Sequence, residues 1–111
     1  MSCCEHGPDS APATTSGADG VATIQQKFQE FLKAAGTPGA LDGKTKQAIA
    51  IALSVLARCE PCVKSHLKKA RAMGFSQEEI DEAAWVAIGF GGSPAMVFYN
   101  GVRKAAEPIS R

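Results

Sequence analysis

All four cysteines and both histidines of this 111-residue chain fall in two short stretches. One is Cys3-Cys4-Glu5-His6, the other Arg58-Cys59-Glu60-Pro61-Cys62-Val63-Lys64-Ser65-His66. Thiol or imidazole chemistry must therefore start from one of the two. A Cys-x-x-Cys such as Cys59 to Cys62 closes a small loop, so it forms a local disulfide with little rearrangement; it also supplies half of a zinc site. Position tilts the choice. Glu60 precedes a proline and is pushed away from helical dihedrals, while Pro61 suits the first position of a new helix. Cys62 then lies in the first turn, where unpaired amides and the helix dipole favour a thiolate. His66 is one turn further on, on the same helical face. A thiol with a lowered pKa, a second thiol to resolve it and an imidazole to move the proton make a redox site.

Those groups need a scaffold. A chain of this length makes one domain with a real core, and the 45% hydrophobic content is ordinary for a globular protein. Twelve basic against eleven acidic side chains leave a net charge of +1, which offers no field to nucleic acid. No apolar run reaches the length of a membrane span, and no hydrophobic signal region opens the chain. The expected location is cytoplasmic, a reducing compartment where a Cys-x-x-Cys is more often catalytic or metal-binding than a structural staple.

Periodicity predicts an all-α chain of five to six helices. Residues 1–19 are rich in Gly, Pro, Ser and Thr and read as a flexible or docked tail, with a helical domain over 20–111. The first helix is expected over about Val21 to Ala35, its apolar face carrying Val21, Ile24, Phe28, Phe31 and Leu32. Asp42 is placed to cap a second helix, about Gly43 to Arg58, that becomes apolar almost all round from Ala48 onward and so needs neighbours on most sides. The third, about Pro61 to Met73, ends at Gly74. Ser76 and Glu79 form a capping box for the fourth, with Phe75 as its staple. Gly91-Gly92 breaks that helix, and Ser93-Pro94 opens a fifth as N-cap and first residue. Trp85 and Tyr99 read as core or subunit-contact aromatics.

The ordered pattern of Leu41-Asp42-x-Lys44-Thr45-Lys46, an apolar helix, Cys59-x-x-Cys62-x-x-x-His66, Gly74-Phe75-Ser76-Gln77-Glu78-Glu79-Ile80 and an alanine-rich helix ending in Gly91-Gly92 resembles the carboxymuconolactone decarboxylase-like superfamily. Within it the pattern is similar to the alkylhydroperoxidase AhpD-like branch, over roughly Leu41 to Tyr99. The resemblance implies an all-helical fold assembling into homo-oligomers, trimers or hexamers. It also implies an antioxidant thiol peroxidase or disulfide reductase activity that uses neither metal nor flavin, so no cofactor is expected. Carried over by motif, Cys59 and Cys62 are the redox pair and His66 belongs to the proton relay. The family usually has a glutamate twelve residues before the first cysteine, where this chain has Gln47. Characterised peroxidase members also have a histidine just before the second cysteine, where this chain has Pro61. Both departures remove proton-transfer groups, so the resemblance implies slow peroxide reduction with the dithiol intact. The decarboxylase branch proper lacks the cysteine pair, which argues against lactone decarboxylation.

The leading expectation is an oxidoreductase cycling Cys59 and Cys62, with His66 and Gln47 in the site, a hydroperoxide or disulfide as substrate and a thiol protein as reductant. Cys62 is favoured as the attacking thiol because it shares a face with His66; thioredoxin-like logic would choose Cys59. Two alternatives stand beside it. One is a thiophilic metal held by Cys59, Cys62 and His66, joined by Cys3, Cys4 or His6. The other is an oligomeric scaffold of the same family without catalysis.

Overall fold

The computed structural model describes residues 17–106. Among the described residues there are five α-helices and no strand: α1 (Gly17–Gly36), α2 (Gly43–Leu56), α3 (Glu60–Ala72), α4 (Gln77–Gly91) and α5 (Ser93–Ala106). The all-α expectation holds. None of these helices is long and apolar enough to cross a membrane.

Two compact units divide the chain between Thr37 and Pro38. In the first, α1 begins four residues before Val21, so Gly17 to Asp19, expected in the tail, belong to the helix. Its periodic apolar face is present as the sequence required. Val21, Ile24, Phe28, Phe31 and Leu32 are nonetheless all exposed, with Phe28 and Phe31 stacked on each other at 6.3 Å. Cys3, Cys4 and His6 lie outside the described residues.

In the second unit, local signals start each helix. The Asp42 carboxylate accepts from the Thr45 amide at 2.7 Å and caps α2. Ser76 and Glu79 close the expected capping box on α4. Two boundaries move by one residue. Glu60, expected to be held out of the helix by the following proline, is the first residue of α3 with Cys59 as its N-cap, and Pro61 sits second. Pro in the first turn forfeits no helical bond, because those amides have no partner within the helix anyway. Likewise Ser93 is the first residue of α5 rather than its cap; the Gly92 carbonyl accepts from the Ala95 and Met96 amides. Gly74 after α3 and Gly92 after α4 take φ of 92° and 77°, conformations that an L side chain resists.

The four helices close on one core. Ile51 and Val55 of α2, Val63 and Leu67 of α3, Ile80 of α4 and Tyr99 of α5 are essentially inaccessible. Each large side chain withdrawn from water in this way contributes about 1.5–3 kcal/mol. α2 lies at the centre of this arrangement, packed against α3, α4 and α5. Yet its apolar surface is only half used: Ile49, Leu53 and Leu56 remain exposed.

Candidate active site

Cys59 and Cys62 meet where α2 ends and α3 begins, and they are joined in a disulfide, with Cα atoms 5.2 Å apart. Only Ala57, Arg58 and Cys59 separate the two helices. Such a short turn forces the backbone into a left-handed residue. The Cys59 amide donates back to the Ser54 carbonyl and the Arg58 amide to the Val55 carbonyl, a Schellman closure whose C′ position is normally glycine. Here it is Arg58, at φ 53°. A non-glycine residue there costs on the order of 1 kcal/mol.

Cys59 then turns extended, and its carbonyl accepts the first α3 hydrogen bond from the Val63 amide. Its side chain makes no capping bond, although a serine or aspartate at an N-cap typically adds about 1 kcal/mol. Two adjacent positions thus forgo local stability so that a thiol stands at a helix start. Cys62, third residue of α3, is exposed, whereas Cys59 is half-buried. Free amides and the helix dipole at this first turn favour a thiolate at Cys62.

His66 stands one turn beyond Cys62 and is half-buried. Gln47, on α2, is 4% exposed and reaches across to it. The Gln47 side-chain amide Nε2 donates to the His66 carbonyl at 3.0 Å and lies 3.4 Å from His66 Nδ1. Because a carbonyl only accepts, the group facing the ring must be the N–H end of the amide. Neutral His66 then offers Nδ1 as acceptor and keeps its proton on Nε2. Burial lowers the His66 pKa below its ordinary value, and the Lys69 charge lowers it further. The imidazole is therefore neutral at pH 7, in a tautomer that donates through Nε2.

Of the sequence-predicted set, Cys59 and Cys62 are joined at the α2–α3 junction, and Gln47 meets His66 between the same two helices. Among the described residues no group of three or more His, Cys, Asp or Glu side chains converges as a metal-binding cluster. Cys3, Cys4 and His6 of the metal alternative lie outside the described residues.

A second polar cluster escaped the sequence reading. On α4, Asp81 Oδ1 accepts from Tyr99 Oη at 2.7 Å, Arg103 Nε at 2.9 Å and Gln77 Nε2 at 3.0 Å, and Gln77 Oε1 in turn accepts from Arg71 at 3.1 Å. Tyr99 is 1% exposed, and burial together with the Asp81 carboxylate pushes its phenol pKa well up. The available signal was Tyr99 and Arg103, four apart on one face of α5. Trp85, by contrast, is 49% exposed.

The pattern model of the carboxymuconolactone decarboxylase family matches residues 22–106. The chain belongs to that family. Solved family structures show the same fold. A carboxymuconolactone decarboxylase family protein of Thermotoga maritima, for which a part in antioxidative response has been suggested, aligns with a TM-score of 0.70 and 31% identity, covering 76% of this chain and 87% of that one. A family member of Legionella pneumophila, solved in its apo form, gives a TM-score of 0.71 and 30% identity over 78% of each chain. Among curated proteins, the uncharacterised protein 4 of the cox locus of Paracoccus denitrificans is 42% identical over 66 residues, 60% of either chain. An uncharacterised protein of Cupriavidus necator is 34% identical over 71 residues, 64% of this chain and 63% of that one. The chain thus spans about three fifths of the length of the curated relatives it matches.

Proposed function

We propose that this family member is a thiol-disulfide oxidoreductase of the alkylhydroperoxidase-like kind, cycling Cys59 and Cys62 and reducing hydroperoxides slowly. The observation that carries the reading is the cysteine pair joined at the N-terminus of α3, with Cys62 exposed and Cys59 half-buried. The antioxidative role suggested for the Thermotoga relative supports it.

In the reduced protein, the Cys62 thiolate attacks the terminal oxygen of a hydroperoxide. The O–O bond breaks, the alcohol leaves with a proton, and Cys62 becomes a sulfenic acid. The Cys59 thiol condenses with it, forming the S–S bond and releasing water. A dithiol protein then reduces the disulfide by two successive exchanges. His66 steadies the thiolate through a hydrogen bond from Nε2–H, the departing alkoxide takes its proton from solvent water, and Gln47 holds the imidazole in that tautomer. Gln47 cannot itself take up a proton, which makes the peroxide step slow.

The decisive test treats the reduced protein with one equivalent of a hydroperoxide and weighs it. The expected product is lighter by two hydrogens, carries no added oxygen, and maps to a Cys59–Cys62 linkage. Two cysteines that remain separately alkylatable would sink the reading.

The exposed apolar side chains support assembly with further copies. Leu53 and Leu56 of α2 and Val86 and Phe90 of α4 line a groove of about 240 Å³, with Phe90 itself 85% exposed. Isolated apolar residues on a surface are ordinary, but a contiguous patch on two adjacent helices is characteristic of an interface. Sedimentation at low concentration should find an oligomer, and Phe90→Asp should shift it toward smaller species; a well-folded wild-type monomer of 11.6 kDa counts against assembly.

A further inference from the structure

Three helix ends of the α2–α5 unit place a residue at positive φ. Two use glycine, Gly74 and Gly92, and the third uses Arg58, directly before Cys59. A strained, non-glycine residue beside reacting atoms points to a side chain with a task. The Arg58 side chain is exposed, and among the described residues its guanidinium has no ion-pair or hydrogen-bond partner. The charges around it leave that cation uncompensated. Glu60, the acidic residue of the first α3 turn, is tied to Lys64 at 3.0 Å. Lys69, further along α3, stands near enough to His66 to disfavour its protonation. The α3 amides add positive potential at Cys62.

We propose that Arg58 is a specificity-determining residue that selects disulfide substrates bearing carboxylates close to the reacting sulfur. The inference rests on the oxidoreductase reading above and adds the substrate class. Cys62 thiolate attacks one sulfur of the anionic disulfide; a new S–S bond forms, the substrate's S–S bond breaks, and one substrate thiolate departs and takes a proton. Cys59 thiolate then attacks the Cys62 sulfur, closing the internal disulfide and releasing the second substrate thiol. Two electrons pass from the protein dithiol to the substrate. Arg58 holds a substrate carboxylate during the first exchange, and its guanidinium fork suits that group better than an ammonium does.

The test follows oxidation of the reduced full chain by three small disulfides: oxidised glutathione (anionic), bis(2-hydroxyethyl) disulfide (neutral) and cystamine (cationic). Rates are compared for wild type, Arg58→Gln, Arg58→Lys and Arg58→Gly. In Arg58→Gln the anionic-to-neutral rate ratio should fall about three- to fivefold, the size of an exposed ion pair, and the cationic rate should rise. Arg58→Lys should restore most of the ratio. Arg58→Gly should lose the discrimination while resisting urea at least as well as wild type, since glycine relieves the positive φ. About 1 M salt should erase the wild-type preference by screening. An unchanged ratio in Arg58→Gln, or all three disulfides slowed alike, overturns the assignment and leaves the dithiol reading standing. A fully reduced wild-type protein that exchanges with none of the three overturns the oxidoreductase reading and this inference with it.

Discussion

Two polar junctions cross the α2–α5 unit, and they are built on opposite terms. At Asp81 a single carboxylate oxygen gathers three donors from α4 and α5, all within 3.0 Å. At His66 a neutral amide from α2 makes one ordinary bond to a carbonyl and one long approach to the ring. The first joins charge to charge and saturates its acceptor, so it fixes geometry. The second leaves the imidazole neutral and its Nε2–H free to donate a hydrogen bond. Their backbones differ in the same sense. Asp81 sits in the second turn of a well-capped helix. The dithiol hangs on a turn with Arg58 in a glycine conformation and Cys59 at an N-cap without a capping bond. Stability is concentrated at one junction and relinquished at the other, the pattern expected where a sequence keeps a reactive group on a rigid frame.

The largest effect should come from the reactive junction. Cys62→Ser should abolish turnover with any disulfide or peroxide. Cys59→Ser should react once and stall as a mixed disulfide at Cys62, visible by mass. Both variants should match the reduced wild type in stability within about 0.5 kcal/mol, as exposed or half-exposed substitutions usually do. If instead the Cys59 variant is inert and the Cys62 variant stalls as a mixed disulfide at Cys59, the roles of the two thiols are reversed.

The opposite outcome is expected at Asp81. Asp81→Ala leaves the buried Tyr99 hydroxyl without the Asp81 acceptor and removes one charged partner of Arg103, a combination that costs about 2–4 kcal/mol. Urea unfolding measures the loss, and iodoacetamide alkylation of reduced Cys62 should change less than about twofold, within the range of a surface-independent site. A destabilisation under about 1 kcal/mol would make the cluster a surface ornament of the kind exposed ion pairs often are. Equal damage to alkylation would join the two junctions into one unit.

How much of this contrast was legible in the sequence follows from how local each signal is. The helix caps at Asp42 and Ser76 and the Cys-x-x-Cys-x-x-x-His spacing depend on neighbours within one turn, so residue types alone revealed them. The Gln47–His66 approach spans two helices and was expected only through the family resemblance. Three features stayed hidden. The Asp81 cluster draws on α3, α4 and α5, and an aspartate on an amphipathic helix gives no hint of its partners. The αL conformation of Arg58 follows from the three-residue connection between α2 and α3, which became apparent only once both helix ends were fixed. The uncovered face of α1 could not be foreseen either, because a periodic apolar stripe states what needs covering and not what covers it.

A smaller effect tests the neutral amide directly. In Gln47→Glu a carboxylate faces Nδ1, so Nδ1 must carry a proton and Nε2 becomes the free base. His66 then takes the thiol proton instead of only donating a hydrogen bond. General-base assistance ranges over about 10²- to 10⁴-fold; with a partly buried carboxylate raising its own pKa and opposing the gain, an increase of about tenfold in peroxide-dependent oxidation is expected, or about 1.4 kcal/mol of barrier. A variant that folds normally and reacts no faster removes Gln47 from the proton relay.

The smallest effect is in the pH dependence of stability, and its sign separates the two forms of the site. In the native protein the His66 pKa lies below its ordinary 6.5, through burial and then Lys69. Between the lowered value and 6.5 the unfolded chain binds more protons than the folded one, so stability rises with pH across that window and falls on acidification. Asp42 and Glu79, whose pKa values are lowered by their capping bonds, contribute stability that is present above their ordinary 3.8 and 4.5 and lost below. Their contributions change only around and below those values. Urea midpoints taken between pH 7.5 and 5.5, in a His6→Gln background that removes the other imidazole, should therefore decline gently toward acid. His66→Gln should flatten the decline. Gln47→Glu should reverse it: a carboxylate at Nδ1 raises the folded-state pKa, so the added stability is present below 6.5 and disappears as pH rises through the new value. A decline unchanged in all three backgrounds would mean that His66 titrates alike in folded and unfolded chains, and the neutral, donating imidazole would lose its physical basis.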